Sequence, residues 1–163
     1  MMELSRKSPP KKARIALGAD HAGFQAKENV KKYLESAGYW VSDTGTSSEE
    51  SVDYPDFAVK VARRVQQGHS DLGILVCGTG IGMAIAANKI GGVRAAVAHD
   101  ALTAQMSREH NDANVLTLGA RVLGEHQIIE VVASFLAAQF AGGRHQRRVD
   151  KISELDQEPK HTA

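Results

Sequence analysis

A chain of 163 residues with 20 Lys and Arg against 19 Asp and Glu carries a formal charge of +1, which gives no electrostatic footing for nucleic acid or an acidic membrane. The length suits one domain, and a single cysteine rules out an intramolecular disulfide and fits a reducing, cytoplasmic setting. Apolar runs are broken by Gly, His or Arg well short of the ~20 residues of a membrane span.

Residues 1–13, MMELSRKSPPKKA, are basic, contain a Pro-Pro pair and have no apolar centre, so they are expected as a disordered extension. The first predicted strand is RIALG (14–18), followed by an amphipathic helix at 24–37. YWVSD (39–43) is the second strand, and Pro55 sits near the start of a helix over 55–67. LGILV (72–76) leads through CGTGIG into a helix at 80–89. VRAAV (93–97), a helix at 100–110, NVLTLG (114–119) and a helix at 125–140 complete the alternation. Gly38, Gly68 and the Gly91–Gly92 pair fall where helices end. After Gly142–Gly143, RHQRRVDKISELD reads as a polar helix with Val149, Ile152 and Leu155 on one face, and that face needs a surface to cover. Residues 158–163 are expected as a tail. Strand–helix alternation of this kind predicts an α/β fold. We expect a three-layer α/β/α sandwich around a five-stranded, mainly parallel, Rossmann-like sheet, as one domain over 14–157.

In such a sheet ligands bind beyond the carboxyl ends of the strands. Asp20 and His21 follow the first strand and 44–54, ending in Tyr54, the second. CGTGIG follows the third strand, and His99 and Asp100 follow the fourth. The glycines of GTGIG do not fit the GxGxxG dinucleotide pattern, and there is no GxxxxGK[ST]. What remains is a run of backbone N–H groups that could hold an anion, or simply a tight turn. Cys77 at its mouth is either a small buried hydrophobe or a thiol activated as base or nucleophile. His110 closes a helix beside Asn111, where a histidine is as often a dipole partner as a site residue. Asp20 and His21 could equally be an N-cap and an exposed histidine. Arg144 and Arg148, at i and i+4, repel unless an anion lies between them. They suit a phosphate, the alternative being a solvated basic face. The seven histidines show no metal-ligand spacing, so no metal is expected.

Together ALGADHAGF, SVDYPDFA, GILVCGTGIGMAIAANK, REHNDANVLTLGAR and GGRHQRRV resemble the type B ribose-5-phosphate isomerases of the ribose/galactose isomerase family, over about residues 14 to 156. The resemblance implies an aldose–ketose isomerase that interconverts ribose 5-phosphate and ribulose 5-phosphate through an enediolate, with no cofactor. It implies that Cys77 is the general base and that Gly78, Thr79, Gly80, Ile81 and Gly82 form the oxyanion loop, Thr79 assisting ring opening. His110 would open the furanose ring, with Asn111, Asp20, His21 and Tyr54 contacting substrate and Arg121, Arg144 and Arg148 gripping the phosphate together with His21. One branch of the family carries a Glu base where this chain has Met83, which leaves Cys77 as the matching base. The family further implies a homodimer or homotetramer with active sites shared between subunits. The alternatives are an isomerase of allose or galactose 6-phosphate and a non-catalytic sugar-phosphate-binding protein.

Overall fold

A computed structural model describes residues 12–158. Five strands form the sheet: β1 (Arg14–Ala19), β2 (Trp40–Asp43), β3 (Leu72–Cys77), β4 (Ala95–Val97) and β5 (Val115–Gly119). Every pairing is parallel, in the order β2-β1-β3-β5-β4. The helices are α1 (Phe24–Ser36), α2 (Tyr54–Gln66), α3 (Ile81–Ala87), α4 (Ala101–Asn111), α5 (Glu125–Ala137) and α6 (Arg144–Glu154). A 3₁₀ turn over Leu155–Gln157 extends α6.

Side chains alternate across each strand, so one face of the sheet receives Ile15, Leu17, Ile74, Val76, Leu116 and Leu118. These pack on Val30 and Leu34 of α1, Ala104 of α4 and Val131 and Phe135 of α5. The other face carries Ala16, Leu75, Cys77 and Val115 against Ala58 and Val61 of α2 and Met83 and Ala87 of α3. This is the three-layer arrangement, and the sheet is wholly rather than mainly parallel. Gly38 and Gly68 follow α1 and α2 with positive φ, as helix-ending glycines do.

The largest boundary differences are at α5, which ends three residues short of the expected 140, and at β4, where Val93 and Arg94 lie outside the strand. Val93 is buried in the second core cluster, and Arg94 turns its guanidinium onto Asp112. The exposed edge of this short strand is capped by Asn88, whose amide accepts from the Ala95 N–H at 2.8 Å and donates to its carbonyl at 2.9 Å. Residues 1–11, most of the expected extension, and 159–163, most of the expected tail, lie outside the described residues. Ala13 already packs against the first core cluster, and Lys12 bonds the Ala37 carbonyl with its ammonium over the Tyr39 ring. Beneath α1, Lys27 is 1% exposed, with Nζ 2.8 Å from Asp43 and 2.7 Å from Glu28. Burial alone would raise the Asp43 pKa, but bonds from Lys27, the Gly45 N–H and Lys31 outweigh it and hold the carboxyl below its usual range.

Candidate active site

The strand order reverses between β1 and β3, which places a crevice at their carboxyl ends. Asp20 lies on one side of it, 6% exposed, its N–H donating to the Val76 carbonyl and its Oδ1 accepting from the Gly23 N–H at 3.0 Å. His21 Nδ1 accepts from the Val52 N–H at 3.2 Å, so neutral His21 carries its proton on Nε2 and offers that N–H outward. This bond also ties the loop before α2 to the end of β1.

Across the crevice, Cys77 ends β3 at 5% exposure, and its Sγ accepts from the Gly80 N–H at 3.1 Å. Gly80 adopts φ +81°, a left-handed conformation that lets the chain reverse from strand to helix and turn this N–H back onto the sulfur. Thr79 Oγ1 accepts from the Ile81 N–H at 3.3 Å. The Arg121 side chain lies over Gly78, within 3.3 Å of where a Cβ would stand. The Tyr54 ring covers Gly82 so closely that a Cβ there would fall 2.6 Å from it. Thus Asp20, His21, Tyr54, Cys77, Gly78, Thr79, Gly80, Ile81, Gly82 and Arg121 gather at one sheet edge. Asp100 serves instead as N-cap of α4, accepting from the Thr103 N–H at 2.7 Å. That bond, with the Thr103 hydroxyl, holds its carboxyl below the usual range.

His110 and Asn111 are elsewhere. They close α4, which starts beyond β4 and returns to the beginning of parallel β5, so an 11-residue helix of about 16 Å carries them to the amino edge. Arg144 and Arg148 lie with them: the Ala141 N–H bonds the Glu109 carbonyl at 3.0 Å, and His145 stacks on His110 with centroids 4.3 Å apart. Partial burial, then the nearby His110, Arg144 and Arg148, push the His145 pKa below its ordinary value, favouring a neutral stack. Both arginines are exposed, as are Ile152 (44%) and Leu155 (60%) on the helix face where Val149 alone is buried. The residues expected to form one site therefore fall into two groups at opposite edges of the sheet.

Two positioning residues went unnoticed in the sequence. Asp112 ends α4 with φ +45°, its carboxylate gripped by Arg108 at 2.9 Å and Arg94 at 3.3 Å, which fixes the direction of the two residues before it. The signal was a charged residue just past a helix end, with an arginine four residues earlier on the same helix. Gly119 lies opposite Cys77 in the β3–β5 register, and a Cβ on it would stand 2.8 Å from the Thr79 backbone. A glycine at the carboxyl end of a strand marks such a close approach. Among the described residues, no three His, Cys, Asp or Glu side chains group as metal ligands, and no helix is long and apolar enough to cross a membrane.

The profile of the family described as Ribose/Galactose Isomerase matches residues 15–152. The ribose-5-phosphate isomerase B of Escherichia coli (strain K12) is 48% identical over 144 residues, 88% of this chain and 97% of that protein. Among solved structures, the ribose-5-phosphate isomerase B of Clostridium thermocellum superposes with a TM-score of 0.87 at 51% identity, covering 88% of this chain and 97% of the other. That of Mycoplasma genitalium, solved with bound ribulose 5-phosphate, gives 0.87 at 42% identity over 90% and 97%.

Proposed function

The chain belongs to the ribose/galactose isomerase family, and on that premise we propose that it interconverts ribose 5-phosphate and ribulose 5-phosphate, with Cys77 as the base. The observation that carries this reading is the Cys77 sulfur held 3.1 Å from the Gly80 N–H at the crevice. The thiolate is the form able to take a proton, and the Gly80 N–H is aimed at the atom that would carry its charge.

The reaction follows from that placement. With the ring open, the Cys77 thiolate removes the proton from C2 of the aldose. The C2–H electrons form the C1=C2 bond, and the carbonyl pair moves onto O1. The developing charge on O1 falls to the remaining N–H groups of the loop from Gly78 to Gly82, since those of Gly80 and Ile81 are taken by Cys77 Sγ and Thr79 Oγ1, and one such donor is worth about 3–4 kcal/mol in the transition state. The O2 proton passes to O1. As the C2 carbonyl forms, the thiol returns its proton to C1, and the ketose results. Thr79, beside the sulfur, assists ring opening. Asp20, the outward Nε2–H of His21 and Tyr54 orient the sugar, and Arg121 with His21 contributes to the phosphate grip.

Ring opening needs His110, and phosphate binding needs Arg144 and Arg148, all from the opposite edge of a second copy. The α3 pair Ile81 and Ile85 (53% and 59% exposed) and the α4 pair Leu102 and Met106 (58% and 40%) form apolar i, i+4 patches beside edge strand β4. Two-fold pairing on this surface about an axis perpendicular to α4 would set the copies of α4 antiparallel, so that the end of one meets the start of the other at the carboxyl edge. A homodimer, or a tetramer of such dimers, then completes each site. Residues 14–157 act as one domain, and a catalytic free thiol suits the cytoplasm. A coupled assay against ribose 5-phosphate, allose 6-phosphate and galactose 6-phosphate tests the reading. Turnover is expected with ribose 5-phosphate, and preference for either hexose would overturn the substrate assignment.

A further inference from the structure

His99 follows β4 at the carboxyl edge, and its Nε2 lies 3.1 Å from the carbonyl oxygen of Thr79. A carbonyl only accepts, so Nε2 holds the proton and donates it. That carbonyl and the Gly80 N–H are the two ends of one planar peptide unit, and in a trans peptide they point to opposite sides. The N–H end is the one that meets Cys77 Sγ at 3.1 Å. One peptide plane thus connects the imidazole to the sulfur.

The imidazole is exposed, but rigid neighbours fix the backbone that carries it. Ala98, just before it, bonds the Thr117 carbonyl of β5 at 3.2 Å, and Asp100, just after it, is locked as the N-cap of α4. The Thr79 backbone is also pressed against the bare Cα of Gly119, so the peptide has little room to swing. A donor on the carbonyl end polarises the unit and makes its N–H a stronger donor, an effect that grows where solvent is excluded. Cys77, at 5% exposure, is such a place.

We propose that His99 is a positioning residue for Cys77, holding and polarising the Thr79–Gly80 peptide so that its N–H sustains the sulfur as an anion. The proposal rests on the reading of Cys77 as the base. His99→Leu removes the donor, whereas His99→Gln restores an N–H at about the reach of Nε2. Because Cys77 is the only cysteine, the rate of its alkylation by iodoacetamide at neutral pH reports the thiolate directly. The Leu variant is expected to lose about 3–10-fold in both alkylation rate and kcat for ribose 5-phosphate, as one hydrogen bond is worth. Its KM should stay within about twofold, and the Gln variant should recover most of both losses. Native values in the Leu variant, equal damage in Leu and Gln, or a shift confined to KM would each overturn the proposal. If the unaltered protein isomerised no sugar phosphate, the assigned function would fail, yet alkylation would still decide the role of His99.

Discussion

Replacing Gly119 by alanine adds one methyl group at the point where β5 touches the loop from Gly78 to Gly82. The new Cβ would stand 2.8 Å from the Cα, carbon and oxygen of Thr79. Ordinary carbon contacts begin near 3.5 Å, so about 0.7 Å must be found. β5 cannot supply it, because Cys77 pairs with Gly119 and the Ala120 N–H bonds the Cys77 carbonyl at 2.8 Å. The Thr79–Gly80 peptide yields instead and draws its N–H away from the sulfur. Overpacking costs about 1–3 kcal/mol, and the reduced freedom of the unfolded chain returns about 0.4–1, so the net loss of stability lies between about 0 and 2.6 kcal/mol. The effect on turnover is larger. A displacement near 1 Å in a positioned site costs about 100-fold, which predicts a fall in kcat of about 10- to 100-fold. Steady-state kinetics with ribose 5-phosphate, alongside urea unfolding, separates the two effects. A stable variant with kcat within twofold of the parent would refute the argument that this contact positions the base.

Four other outcomes are expected. Cys77→Ala and His110→Ala should each be inactive alone, but mixing and reassociating them should restore about a quarter of the parent activity, since half the dimers would hold one intact site; no recovery after verified exchange would rule out sharing of these two residues across subunits. Arg144→Ala should raise KM by about 10-fold or more with a smaller change in kcat, as loss of a charged hydrogen bond predicts, and an unchanged KM would remove Arg144 from the phosphate grip. His145, held below its ordinary value of 6.5 in the fold, takes up its proton more readily when unfolded. Its contribution is intact above 6.5 and is lost as pH falls through the folded value, so the melting temperature of the parent should drop more on acidification than that of His145→Phe. Lys27→Met leaves the Asp43 and Glu28 carboxylates without their buried partner and should cost about 2–3 kcal/mol in chemical denaturation; a neutral result would mean that water replaces the ammonium freely.

Much of the architecture was legible from local pattern alone. Apolar runs such as LGILV and helical periods such as that of α2 depend on neighbours a few residues away, and they located every strand and helix to within a few residues. Parallel alternation also required the segments after successive strands to share an edge, which brought Asp20, His21, Tyr54 and Cys77 together on paper. By the same logic His110, closing a helix just before a strand, belongs to the opposite edge. Strand order, by contrast, was decided by which faces pack best across the whole sheet. That order put the crevice between β1 and β3, and the short β4 leaves Arg94 outside the strand, where it clamps Asp112. The meetings of Gly119 with Thr79, His99 with the Thr79 carbonyl and His145 with His110 join residues 20 to 40 positions apart. No local period encodes such pairs. They exist because close packing brings separate elements to van der Waals distance, and there a missing methyl group or a single N–H shapes the site.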